Sequence, residues 1–108
     1  LALTPTVFEI LLSLADHERH GYDIMLDVER RTGGDTVIRP GSLYRAIHRL
    51  LEQGLVEELD ETPAGERDDE RRRYYRITDA GVDTLAREVE RMSAAVRAAR
   101  AKNLPGTR

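Results

Sequence analysis

Apolar positions along the chain recur at helical spacing in four stretches and alternate in two short ones. Thr4-Pro5 reads as a cap followed by proline in the first helical turn. From there Val7, Phe8, Leu11, Leu12, Leu14 and Ala15 mark a helix that the polar cluster Asp16-His17-Glu18-Arg19 ends. A second helix is expected from about Gly21 to Arg31, burying Tyr22, Met25 or Leu26, and Val28, with Gly33-Gly34 as its stop. Val37 and Ile38 suggest one short extended pairing. The third helix runs from about Gly41 or Ser42 to Gln53, with Leu43, Ile47, Leu50 and Leu51 on one face, and Gly54 ends it. The period then changes to two. Leu55 to Leu59 reads as a strand and Arg72 to Ile77 as its partner, Tyr75 and Ile77 sharing a face. Between them Asp60 to Arg71, with Pro63 and Gly65, reads as a long solvated hairpin tip. Thr78 caps a final helix from about Asp79 to at least Arg100.

This order, three helices, a strand, a hairpin, a strand and a helix, predicts a mainly α fold with a small β-hairpin. Helices two and three form a candidate helix-turn-helix, and the hairpin after the third makes it winged. Residues 1–78 are expected to be the winged domain, 79–102 a C-terminal dimerisation helix and 103–108 a flexible tail. In the last helix Val82, Leu85, Val89, Met92, Val96 and Ala99 follow spacings of three and four, a heptad seam suited to a partner helix from a second subunit. The alternative is a long amphipathic helix folded back on its own core.

The outward face of the third helix carries Ser42, Arg45, His48, Arg49 and Glu52. Arginine's planar fork suits guanine edges and phosphates. The plainer reading is a solvated face with salt bridges such as Arg45 or Arg49 with Glu52.

Composition narrows the classes. The 108 residues suit one domain, 40% hydrophobic and 34% charged. One Phe and no Trp leave the core to aliphatic side chains. With no cysteine, disulfides, thiolate catalysis and cysteine metal sites are excluded, which fits a reducing cytoplasm. No apolar run is long enough to span a bilayer. Leu1 rather than Met opens the chain, consistent with a missing N-terminus.

The net charge of −3 argues against a nonspecific nucleic-acid coat but leaves local patches open. Six acids lie between Asp60 and Glu70, and four arginines (Arg71, Arg72, Arg73 and Arg76) follow. Arg71, Arg72 and Arg73 could reach phosphates or a minor groove, or pair with the acidic tip; the base of the wing, not its tip, is expected to touch DNA. His17 and His20 are surface histidines in a turn rather than metal ligands. No phosphate loop or nucleophile motif is present, so neither an enzyme nor a cofactor is expected.

Gly21-Tyr22-Asp23-Ile24, then Pro40-Gly41-Ser42-Leu43-Tyr44 with Leu50 and Gly54-Leu55-Val56, then Arg73-Tyr74-Tyr75-Arg76-Ile77-Thr78 with Gly81, resemble the PadR family of bacterial transcriptional regulators. The resemblance spans roughly Thr4 to Gly81 and is closest to the subgroup with a single C-terminal helix. It implies a winged helix-turn-helix homodimer that represses genes and is released by small aromatic or drug-like molecules. It places Ser42, Leu43, Tyr44 and Arg45 at the start of the recognition helix. Tyr44 lies at the edge of the buried face, where its hydroxyl could reach a phosphate while its ring packs on the core. Ser42 stands where threonine is common, and Arg45 where proline is. The expected contacts to a palindromic operator in double-stranded DNA are Arg39, Gly41, Ser42, Leu43, Tyr44, Arg45, His48, Arg49, Arg72 and Arg73. The expected dimer seam is Val82, Leu85, Val89, Met92, Val96 and Ala99. An effector pocket between the first and last helices would be apolar, with Phe8 as its aromatic. The competing function is a winged-helix protein-interaction module that does not bind DNA.

Overall fold

The computed structural model describes residues 3–59 and 73–106. Among these the order is α1 (Pro5–Ser13), β1 (Arg19–His20), α2 (Gly21–Arg31), α3 (Pro40–Glu52), β2 (Val56–Glu58), β3 (Tyr74–Ile77) and α4 (Asp79–Ala101). The three strands form one antiparallel sheet in the order β1-β3-β2. The fold is the mainly helical winged architecture that the hydrophobic pattern predicts. The expected acidic hairpin tip and Arg72 lie outside the described residues.

Each helix starts where its local chemistry dictates. The Thr4 hydroxyl accepts from the Val7 N–H, the His20 ring nitrogen from Asp23, and the Thr78 hydroxyl from Gly81. At the end of α3, Gly54 takes a left-handed conformation. The Leu55 N–H then reaches the Leu50 carbonyl, and the Gly54 N–H reaches that of Leu51. This paired closure turns the chain sharply into β2.

The core sits where α1, α2, α3 and the root of α4 meet. Ile10, Leu11 and Leu14 pack against Ile24 and Val28, against Leu43, Ile47 and Leu50, and against Val56, Tyr75 and Leu85. Burying each large aliphatic side chain contributes about 1.5–3 kcal/mol. The inward face of α3 is therefore fixed by three such residues, and its opposite face must point out.

Gly81 marks where α4 meets the rest. A Cβ there would strike the Leu55 carbonyl oxygen and come within 2.7 Å of Ile77 Cγ1. The Thr78 N–H donates to the same carbonyl at 3.1 Å, and the Thr78 hydroxyl donates to Gly54 O at 2.7 Å. The first turn of α4 is thus bonded to the segment that leaves α3. Beyond Glu88 the α4 side chains are exposed or half-buried, and the molecule measures 53 Å along its longest axis.

Several local expectations are corrected. α1 ends at Ser13, two residues early, because Leu14 closes it and turns into the core. α2 buries Ile24 and Val28, whereas Tyr22 and Leu26 face outward and Met25 is half-buried. Val37 and Ile38 form no strand; Ile38 enters the core and Val37 stays exposed. The Arg19–His20 strand was not foreseen. It pairs with Tyr75 and Tyr74, and the His20 ring meets Tyr74 edge-on at 5.3 Å.

Candidate nucleic-acid interface

Proline at the start of α3 pre-sets the helical backbone but supplies no cap. Arg39 occupies the cap position without a side-chain hydrogen bond, unlike the caps of α1, α2 and α4. The N–H groups of the first turn, with the positive end of the helix dipole, therefore face outward uncapped by any side chain.

Along the outward face Gly41, Arg45, His48, Arg49 and Glu52, with Tyr44 at the edge, line an open depression of about 360 Å³. Arg39, Ser42, Arg45, His48, Arg49 and Glu52 are exposed. The Arg45 guanidinium lies 3.5 Å from the Ser42 hydroxyl oxygen. Among the described residues no carboxylate forms an ion pair with Arg39, Arg45 or Arg49, so the salt bridge to Glu52 that the plainer reading offers is absent.

Two of the expected contacts point elsewhere. Leu43 is fully buried among the core side chains, and its N–H is held by the Arg39 carbonyl. Its place in the contact set is therefore corrected: it anchors the helix rather than touching a ligand. Tyr44 turns inward as well. Its hydroxyl is buried against Gly21, where a Cβ would lie 2.9 Å from Tyr44 Cζ and closer still to the hydroxyl oxygen. The ring packs on the core as expected, and the hydroxyl, expected to reach a phosphate, is instead buried across the α2–α3 junction. Gly21 and Tyr44, distant in sequence, prove to be one contact.

The sheet behaves differently from α3. Arg76 Nε donates to Glu57 Oε1 at 2.8 Å across the β2–β3 pair, directly opposite in register. Arg73 lies 3.6 Å from a Glu58 carboxylate oxygen. Of the four arginines that follow the acidic stretch, Arg73 and Arg76 therefore each face a carboxylate of β2, while Arg71 and Arg72 lie outside the described residues.

Sequence reasoning missed a charged cluster behind this site. Arg19, read as part of a polar turn, is 7% exposed. Its Nε donates to the Ser13 carbonyl at 2.6 Å, and its outer nitrogens meet Asp23 at 3.1 Å, Asp16 at 3.3 Å and Asp27 at 3.5 Å. Asp27, also buried, further pairs with Arg30 and Arg31, and Arg31 reaches Glu9 on α1. Burial raises the Asp27 carboxyl, but the Ser13 hydroxyl and the Arg19 and Arg31 charges outweigh it and hold it below the usual carboxylate range. The one sequence signal was the i, i+4 placement of Arg19, Asp23 and Asp27.

On α4, Val82, Val89, Met92 and Val96 are 36–47% exposed and form an apolar strip that the described residues leave largely open. Leu85, expected on the same seam, is corrected to the chain's own core, and Ala99 is half-buried. Between α1 and α4 lies an open cavity of about 410 Å³ lined by Phe8, Val89, Met92, Ser93, Val96, Arg97 and Arg100. Among the described residues no group of three or more His, Asp or Glu side chains is placed to hold a metal ion.

The sequence matches the "Transcriptional regulator PadR-like family" over residues 10–87. The chain belongs to the PadR-like family. That family is one of transcriptional regulators, not of enzymes. The chain is 37% identical over 84 residues to an uncharacterized 37.1 kDa protein in a transposon of Streptomyces fradiae. The match takes 78% of this chain but 22% of that protein, so this chain spans about a fifth of that relative's length.

Among solved structures, a PadR family transcription regulator from Clostridium difficile superposes with a TM-score of 0.76 at 20% identity, covering 94% of this chain and 100% of the other. Bacillus subtilis PadR, solved in complex with operator DNA, superposes with a TM-score of 0.65 at 20% identity, covering 77% and 45%. Both share the fold of this PadR-like chain. No helix among the described residues is long and apolar enough to cross a membrane.

Proposed function

We propose that this PadR-like regulator is a homodimer that binds a two-fold symmetric operator in double-stranded DNA, with α3 in the major groove of each half-site. The observation that carries this reading is the outward face of α3. It presents Arg39, Arg45, His48 and Arg49 with no carboxylate paired to the arginines, beside a helix start that no side chain caps. Guanidinium groups without a carboxylate partner suit phosphates and guanine edges, and free N–H groups at a helix start suit a phosphate. Ser42 and Gly41 let the backbone approach closely.

The exposed strip Val82, Val89, Met92 and Val96 supports pairing with a second copy, which would set the half-sites about one helical turn, ~34 Å, apart. Repression, with release by an apolar or aromatic effector, is the regulatory part of the proposal. The cavity between Phe8 and α4 supports it as a place where a ligand would change how α4 packs.

The test is selection of bound duplexes from sheared genomic DNA with the wild type and with Arg45→Ala/Arg49→Ala, across a salt series. One enriched site with two-fold symmetry, lost in the double variant and weakened by salt, is the expected result. No enrichment at low salt by a folded protein would overturn it in favour of a protein-interaction module. A reporter driven by the enriched site would then show repression or activation directly.

A further inference from the structure

Glu52 is the residue on the α3 face whose charge does not belong there. It is exposed, lines the same depression as Arg45, His48 and Arg49, and forms no ion pair among the described residues. Arg49 sits one turn before it, yet the two remain apart. Elsewhere Glu9, Glu57, Glu58 and Glu88 are each matched to an arginine, whereas Glu18 and Glu29, also unpaired among the described residues, lie off the α3 face and away from its arginines.

Double-stranded DNA carries about one negative charge per 1.7 Å of axis, so an unpaired carboxylate facing it weakens binding to every sequence. That loss is offset only where the carboxylate meets a hydrogen-bond donor. In the major groove cytosine presents a lone donor, its N4 amino group. Adenine's N6 donor sits beside the N7 acceptor, which repels the second carboxylate oxygen.

We infer that Glu52 is a specificity-determining residue that accepts a hydrogen bond from the N4 amino group of one cytosine in each half-site. The inference rests on the DNA-binding reading above. Arg45 and Glu52 are seven residues apart, about 10.5 Å along the helix. That is roughly three base-pair steps of about 3.4 Å. The cytosine therefore lies within about three base pairs of the guanines that suit Arg45 and Arg49, and the half-site core is rich in G·C pairs.

The experiment selects sites from a random duplex library with the wild-type chain, Glu52→Ala and Glu52→Gln. Binding is then measured to the best site and to its three base changes at the cytosine. The wild type is expected to prefer cytosine by about tenfold or more at one position per half-site. Glu52→Ala should lose that preference there and nowhere else. Glu52→Gln should move it toward adenine, which matches glutamine's paired donor and acceptor.

A profile unchanged in both variants overturns the proposal. So does a uniform gain in affinity for all duplexes in Glu52→Ala, which would make Glu52 a simple repeller of phosphate. A wild type that enriches no duplex brings down the DNA-binding reading itself, a separate and recognisable failure.

Discussion

Two groups of arginines in this chain differ in everything but their chemistry. Arg19, Arg30 and Arg31 lie at or behind α2 and are tied to Asp16, Asp23, Asp27 and Glu9. Arg39, Arg45 and Arg49 lie along α3 and are tied to no carboxylate among the described residues. The first group joins α1, β1 and α2 into one body. The second is exposed on the outer side of that body, and under the proposed function its charge meets phosphate. A charge that is already paired inside the protein has little left to offer a ligand. What distinguishes a binding face is therefore the absence of internal partners, not the number of arginines.

The sharpest way to break the comparison is Arg19→Ala. It leaves Asp23 and Asp27 facing each other without their shared cation and frees the Ser13 carbonyl. Unfolding in urea should show a loss of about 3–5 kcal/mol. A loss under about 1 kcal/mol would show that the cluster is ornamental. Arg45→Ala/Arg49→Ala is the mirror case. Binding to the selected operator should fall about 100-fold or more, and the salt slope by about 0.9 for each phosphate contact removed. Stability should change by less than about 0.5 kcal/mol per site, as for other exposed positions.

The junction between the two groups is Gly21 against Tyr44. Gly21→Ala should destabilise the fold by about 1–3 kcal/mol through overpacking. Tyr44→Phe should relieve part of that loss, because the hydroxyl is the nearest atom to the new Cβ. Strictly additive losses in thermal melts would disprove the contact.

Acid separates the groups further. Asp27 has a depressed carboxyl, so its contribution is present above the ordinary carboxylate pKa and is lost as pH falls through the lower folded value. Asp27→Asn should flatten the acid limb of a stability–pH curve, whereas Arg45→Ala should leave that limb in place. Glu57→Gln has the smallest expected effect, under about 1 kcal/mol, because the Glu57–Arg76 pair is solvent-exposed.

The same contrast explains what could be read from the sequence. Helical spacing and caps located α2 from Gly21 to Arg31 and the start of α4 after Thr78, because those signals are local. The outward face of α3 was legible too, since Leu43, Ile47 and Leu50 fix which way it turns. Arg19 was not. Nothing local separates a buried arginine from one in a solvated turn, and two residues are too few to show a strand that β3 completes. Tyr44 fell on the edge between faces, and only the missing side chain at Gly21 decides that its hydroxyl turns inward.

The carbonyl of Leu55 gives the last lesson. It accepts from Thr78 and lies against Gly81, so the exit of α3 and the root of α4 share one small hinge pin. α4 runs about 34 Å from there, and a tilt of about 5° at the pin moves its far end by about 3 Å. The helix is a lever with its fulcrum beside α3. A slight push at its long arm carries large mechanical advantage at the short one.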